Sequence, residues 1–261
     1  MSILKKIIED KIKEVENDKK LISPSKLKEN LIKKNNYFQK KLEEFKKNNK
    51  TAIVAEVKKA SPSKGILLNN FDHIKIAEEY VKANAACLSV LTEKKYFLGS
   101  KKYLSDIKSK FNIPILCKDF FIDTYQVYEA AHIGADCILI LLNSVEDSLI
   151  NDLLGAASIC GLDAILEIHN EDEMVRALNF NNVILGINNR NLNTFETNIK
   201  TTVEIFKKFE LSNHTVICES GIYSKEDINF IKTETGINNF LIGESLIKSD
   251  SIYSKLIELN S

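Results

Sequence analysis

ILCKDFFIDTYQVYEAAHIGADCILIL, residues 115–141, contains a short β-rich run at Ile115–Lys118, a helical stretch and a second apolar run at Cys137–Leu141. Strand, helix and strand in that order form the unit from which parallel sheets are built. The alternation extends both ways along the chain. Upstream lie candidate strands at Ala52–Val57 and Cys87–Leu91, and downstream at Ala164–Glu167, Val183–Ile187, Val216–Cys218 and Asn239–Ile242. Helical segments separate them, and one more follows the last. Eight strands recurring roughly every 25–30 residues predict a parallel sheet with its helices outside. Eight such units after Thr51 fit an α/β fold, the closed (β/α)8 or TIM barrel. An open doubly wound sheet is the alternative; no GxGxxG stands at a strand-to-helix turn, which removes its dinucleotide-binding form.

Residues 1–50 have a different character. Ile3, Leu4, Ile7, Ile8, Ile12 and Val15 form one stripe of an amphipathic helix. Ser23-Pro24-Ser25 breaks it, and Tyr37–Phe45 carries a second, weaker helical pattern. The expected organisation is a helical extension over 1–50, packed on a barrel over 51–261. The chain carries 36 basic and 36 acidic side chains, but residues 1–50 hold 15 Lys against 8 acidic groups. A basic arm raises nucleic acid or an acidic membrane as partner. No aromatic residues interleave with the lysines as a stacking platform requires, and the whole chain uses only two Arg, so solvated helix faces are the better reading. The longest apolar runs, such as Cys137–Leu142, fall well short of the roughly 20 residues that span a bilayer, and the N-terminus has no apolar signal core. Five cysteines, widely spaced and without a CxxC pair, read as free thiols in a reducing cytoplasm.

In a (β/α)8 barrel the chemistry sits at the C-terminal ends of the strands. The first ends Glu56-Val57-Lys58 and runs into Ser61, the third Lys118-Asp119-Phe120, the fifth Glu167-Ile168-His169. The sixth ends Asn188-Asn189-Arg190, the seventh Glu219-Ser220-Gly221, the eighth Gly243-Glu244-Ser245. Alternation puts Glu56 and Lys58 on one face. Three acidic and three basic groups therefore converge if that face is the mouth: Glu56, Glu167 and Glu219 with Lys58, Lys118 and Arg190. Arg190 stands out because planar, bidentate anion recognition favours Arg over Lys. Gly221 and Gly243 follow the seventh and eighth strands, where barrels often bind phosphate, and Ser220 and Ser245 are candidate hydroxyl donors. Both glycines also suit ordinary turns. His169 has no second His or Cys at ligand spacing, so no metal site is expected.

The segments Ala55–Gly65, Leu88–Glu93 with Tyr96-Phe97, Pro114–Phe120, Gly134–Asp136, Glu167–His169, Gly186–Arg190, Glu219–Ile222 and Ile242–Leu246 resemble, in order and spacing, the indole-3-glycerol-phosphate synthase family of tryptophan biosynthesis. The resemblance implies a cofactor-independent carboxy-lyase acting on 1-(2-carboxyphenylamino)-1-deoxyribulose 5-phosphate, a phosphorylated small molecule. It implies Lys118 as general acid, Glu167 as the carboxylate of the dehydration, and Glu56, Lys58 and Asn188 around them. It implies Ser61, Phe97, Phe120, Arg190 and Glu219 as substrate-binding residues, with Phe97 and Phe120 flanking the aromatic ring. Phosphate falls to Ser220, Gly221, Gly243 and the Glu244 backbone N–H. A cytoplasmic monomer is expected. Cys117, Asn191 and Cys218 depart from residues common in the family, and none reaches the proposed chemistry.

Overall fold

The computed structural model describes residues 3–29, 31, 35–192 and 194–261. Eight parallel strands close into a barrel: β1 Ala52–Val57, β2 Cys87–Leu91, β3 Ile115–Lys118, β4 Cys137–Leu141, β5 Asp163–Ile168, β6 Ile184–Asn188, β7 Val216–Glu219 and β8 Asn239–Ile242. β1 pairs with both β2 and β8, which shuts the ring. Observed strands differ from the expected bounds by a residue at each end of β5 and β6 and at the C-terminal end of β7; the added residues include Asn188 and Glu219, polar side chains at the last rung before the mouth.

Two apolar clusters follow from the alternation of side chains. Outward residues such as Ala55, Leu88, Cys117, Ile138, Leu166, Leu185, Cys218 and Phe240 pack under the helical shell. Inward residues such as Val54, Leu116, Leu139, Ile165, Ile184, Ile217 and Leu241 fill the barrel. Interior packing layers of this kind leave a plug rather than a pore. The helices between strands are α4 His73–Lys82, α5 Lys101–Lys110, α6 Thr124–His132, α7 Asp147–Cys160, α8 Glu171–Ala177, α9 Lys200–Lys208 and α10 Lys225–Thr235. Asp72, Ser100, Asp123, Asn170 and Ser224 start their helices with side-chain oxygens that accept backbone N–H groups.

The N-terminal helices are α1 Ile3–Leu21, α2 Pro24–Glu29 and α3 Tyr37–Lys47. α3 stoppers the bottom of the barrel with Phe38, Leu42 and Phe45. Its start is fixed by Asp163 at the foot of β5, which accepts from Asn36 Nδ2 at 3.0 Å and from the Gln39 backbone at 2.9 Å. α1 lies at the opposite end, where Ile3, Leu4 and Ile7 reach the mouth. The stripe read from sequence is corrected here: the buried face is Ile7, Lys11 and Val15, whereas Ile12 is 47% exposed. The cause is Lys11, which is buried because its ammonium lies 2.7 Å from Asp119 and 2.8 Å from Glu14. Among the described residues no helix is long and apolar enough to cross a membrane. α11 Glu244–Ile247 and α12 Ile252–Asn260 complete the chain's order of elements.

Candidate active site

Four inward rows end in a charged side chain at the mouth: Glu56 after Val54, Lys118 after Leu116, Glu167 after Ile165, Glu219 after Ile217. Strand register levels them, with Leu141 opposite Glu167, Glu167 opposite Gly186 and Asn188 opposite Glu219. Lys118 Nζ sits between two carboxylates, 3.3 Å from Glu56 Oε2 and 3.2 Å from Glu219 Oε2. Lys58 Nζ bonds the other Glu56 oxygen. The result is a chain of alternating charge, Lys58–Glu56–Lys118–Glu219. Such pairing offsets the several kcal/mol that each isolated buried ion costs.

Two glycines make room for those carboxylates. A Cβ at Gly243 falls 2.3 Å from Glu56 Oε1, and one at Gly186 falls 2.3 Å from Glu219 Oε1. Any side chain at either place displaces a glutamate. Gly243 therefore has a duty beyond the backbone approach read from sequence, and Gly186 has the same duty on β6.

The charges respond to these neighbours. Burial opposes ionisation of Glu56, but Lys58 and Lys118 outweigh it and hold the carboxyl down at about 2. Burial works against the Lys118 ammonium too; Glu219, Glu56 and Glu167 overcome it and raise the lysine above its ordinary value. Glu219 goes the other way. Its burial and the nearby Glu167 charge outweigh Lys118 and push it up to about 7. One of its oxygens is buried without a hydrogen-bond partner. Glu219 is also only 1% exposed, and its charged partner is Lys118.

Across the mouth stands a second group. Glu167 Oε1 accepts from Asn188 Nδ2 at 2.8 Å and lies 3.2 Å from His169 Nε2. Burial disfavours the Glu167 charge, yet His169 first and Lys118 next bring the carboxyl down to about 2. Asn188 is itself oriented, its Oδ1 accepting the Arg190 backbone N–H at 3.0 Å.

Beyond β7 the chain turns sharply, with Ser220 at φ +64° and Gly221 at φ +79°. A non-glycine residue in the left-handed region is uncommon and tends to mark a functional turn. Ser220, Gly221, Gly243, Glu244 and Ser245 share one corner of the cavity. Ser245 Oγ donates to Ile222 O at 2.8 Å, so this hydroxyl ties the last two loops together instead of standing free as a donor. Arg190 lies in the lining, with Nη2 3.4 Å from Glu244 Oε2 and Nη1 donating to Phe195 O at 3.2 Å. Its carboxylate partner is Glu244.

Ser61, in the hairpin Ala60–Ser61/Gly65–Ile66 after β1, faces the same cavity with Pro62 and Ser63. Phe97 and Phe120 form a wall; their centroids are 6.2 Å apart with planes tilted by 44°, a direct aromatic pair. Sequence reading passed over the α1 side chains at the mouth, Lys11, Gly186, and the partners of His169. Asn170 followed three residues later by Glu173 is a capping-box spacing that pointed to the last of these.

Fold and mouth together define a (β/α)8-barrel enzyme whose strand ends carry ammonium–carboxylate pairs beside a loop corner suited to phosphate. The sequence model of the family described as indole-3-glycerol phosphate synthase matches residues 4–259. An indole-3-glycerol phosphate synthase of Polynucleobacter asymbioticus is 41% identical over 98% of both chains, and one of Acetivibrio thermocellus is 42% identical over 83% of both. The chain belongs to the indole-3-glycerol phosphate synthase family, carboxy-lyases of tryptophan biosynthesis. Among solved structures, 3-hexulose-6-phosphate synthase from Salmonella typhimurium superposes with a TM-score of 0.64, covering 80% of this chain and 96% of that one. At 13% identity that likeness shows the barrel alone.

Proposed function

We propose that the two groups facing each other across the mouth divide the reaction of the family between them. The substrate is 1-(2-carboxyphenylamino)-1-deoxyribulose 5-phosphate. Its ring carbon bearing the carboxylate attacks the ribulose ketone, and the ketone oxygen takes a proton as the bond forms. Lys118 supplies that proton. Carbon dioxide then leaves and its bonding electrons restore the aromatic ring. Glu167 removes a proton in the last step, while the new hydroxyl departs as water with a proton from the lysine side, giving indole-3-glycerol phosphate.

The observation that carries this reading is the setting of Lys118, a lysine clamped between Glu56 and Glu219 and thus kept as an ammonium. General acid catalysis needs the donor protonated at the working pH and within reach of the reacting oxygen. Glu56 serves as spacer between the two lysines. Glu219 is a positioning residue for Lys118, and its raised value lets it take up charge changes in the cluster at small cost. Ser220, Gly221, Gly243 and the Glu244 N–H receive the phosphate, with Arg190 beside them. Phe97, Phe120 and the α1 residues Ile3, Leu4 and Ile7 cover the aromatic part. The cytoplasm suits the five buried free thiols.

Substrate brings roughly −2 from phosphate at neutral pH, and its carboxylate adds another negative charge. Lys58 lines the cavity with Lys118, their side chains 16% and 17% exposed, and it bonds only the Glu56 side of the cluster. Lys58→Met is expected to raise KM at least about tenfold, the cost of one charge-assisted contact. Steady-state kinetics with the carboxyphenylamino-deoxyribulose phosphate test it; a KM within about twofold of the parent value rejects this role for Lys58.

A further inference from the structure

His169 stands beside Glu167 with no work given to it by the sequence reading or by the reaction, and its surroundings are specific. It follows β5 and its side chain is 9% exposed. Glu173, in the first turn of α8, holds it twice: Glu173 Oε2 accepts the His169 backbone N–H at 2.8 Å and lies 3.1 Å from ring Nδ1. Glu173 is itself fixed, since its Oε1 accepts from Asn170 Nδ2 at 3.0 Å and its N–H donates to Asn170 Oδ1 at 2.9 Å. The helix start thus aims the imidazole. Its other nitrogen, Nε2, then faces Glu167 Oε1 at 3.2 Å.

We propose that His169, clamped by Glu173, is a positioning residue that pins Glu167 by its Oε1 and leaves Oε2 as the oxygen that takes the proton in the dehydration step. Asn188 Nδ2 meets the same Oε1 at 2.8 Å, so both partners converge on one oxygen. A ring nitrogen turned toward a carboxylate on each side carries a proton on each, because a bare lone pair facing an anionic oxygen repels it. Glu167 on the same strand and Glu173 on α8 are the charged groups that face the ring. From β6 the uncharged Asn188 shares Glu167 Oε1, and from β3 Lys118 adds a positive charge on the Glu167 side. Burial disfavours the imidazolium, but the two carboxylates outweigh it and raise His169 to about 10. His169 Nε2 is buried and lacks an aligned hydrogen bond, so its hold on Glu167 is chiefly charge and proximity.

This inference rests on Glu167 as the dehydrating carboxylate, so Glu167→Gln is measured alongside His169→Gln and Glu173→Gln. In His169→Gln, kcat is expected to fall about tenfold with KM within twofold. A loss of kcat toward pH 5.5 also appears, at least fivefold beyond the parent's own decline, because Glu167 without its imidazolium protonates more easily. Glu173→Gln moves the same limb in the same direction by less. A His169→Gln enzyme with a lowered Tm and the parent's pH profile has lost a structural contact only, and overturns the proposal. Should Glu167→Gln keep its turnover, the assignment of Glu167 falls, and this proposal with it; an inactive Glu167→Gln beside an unaltered His169→Gln profile sinks this proposal alone. Should the variants fold poorly, ring-nitrogen NMR of the parent decides: the chain has 4 His, and His169 must read as an imidazolium at pH 8. A neutral ring there contradicts the proposal.

Discussion

Lys118→Ala lowers kcat by at least about a thousandfold, within the 10²–10⁴ range that a positioned acid contributes. Removing the ammonium leaves Glu56 and Glu219 facing each other across the gap it bridged. Breaking a buried pair ordinarily costs about 3–5 kcal/mol, because an uncompensated charge remains. Here the fold has an escape. Glu219 already sits at about 7, and without Lys118 it rises further and takes a proton, while Lys58 still holds Glu56. Tm is therefore expected to move little while activity collapses, a separation that thermal melts and kinetics on one sample resolve. A folded Lys118→Ala protein with more than a tenth of parental kcat removes Lys118 from the acid role.

Glu167→Gln is the second large effect, a kcat lower by about 10²–10³ with KM changed less than about threefold. Glutamine keeps the size of the side chain and an oxygen for Asn188, and removes the base. Product should therefore be lost after the carbon–carbon bond has formed. The depressed value of Glu167 makes the parent base available down to strongly acidic pH, since a carboxyl held at about 2 is ionised throughout the ordinary range. Kinetics across pH 5–9 check this: the parent profile carries no acid limb from Glu167, while Glu219, raised to about 7, and the substrate phosphate titrate nearer neutrality.

The barrel was legible in the sequence because alternation is a local property. Strand and helix recur in order along the chain, which is what predicted the barrel; which face of each strand points inward shows in the packing, where Leu116 joins the interior cluster and Ile115 and Cys117 lie under the helices. Glu56, Lys58, Lys118, Glu167 and Asn188 were found because strand ends are a predictable place, and resemblance gave them roles. What stayed hidden depends on distances between elements. Gly186 reads as any strand glycine until Glu219 is seen to occupy its missing side chain. Lys11 reads as the solvated face of an amphipathic helix until Asp119, just past β3, is found beneath it. Ile12 shows the converse, an apolar residue on a helical stripe that the burial of Lys11 rotates outward. Glu219 was given a substrate role by resemblance; its contact with Lys118, 101 residues away along the chain, shows only in the folded barrel.

The mouth also shows why charge counting from sequence was incomplete. Three acidic and three basic groups balance on paper, but His169, Glu173 and Glu244 join the network. Glu219 near 7 makes the sum depend on pH.

A single-turnover experiment with substrate labelled in its carboxylate tests the division of labour most directly, by counting released carbon dioxide against indole emission, which rises over a chain that contains no Trp. The parent should release one equivalent of each. Lys118→Ala should release neither, because ring closure fails, and Glu167→Gln should release carbon dioxide while indole emission lags far behind. Carbon dioxide from Lys118→Ala at the parental rate, or its absence from Glu167→Gln, contradicts the assignment of acid and base to these two sides of the barrel mouth.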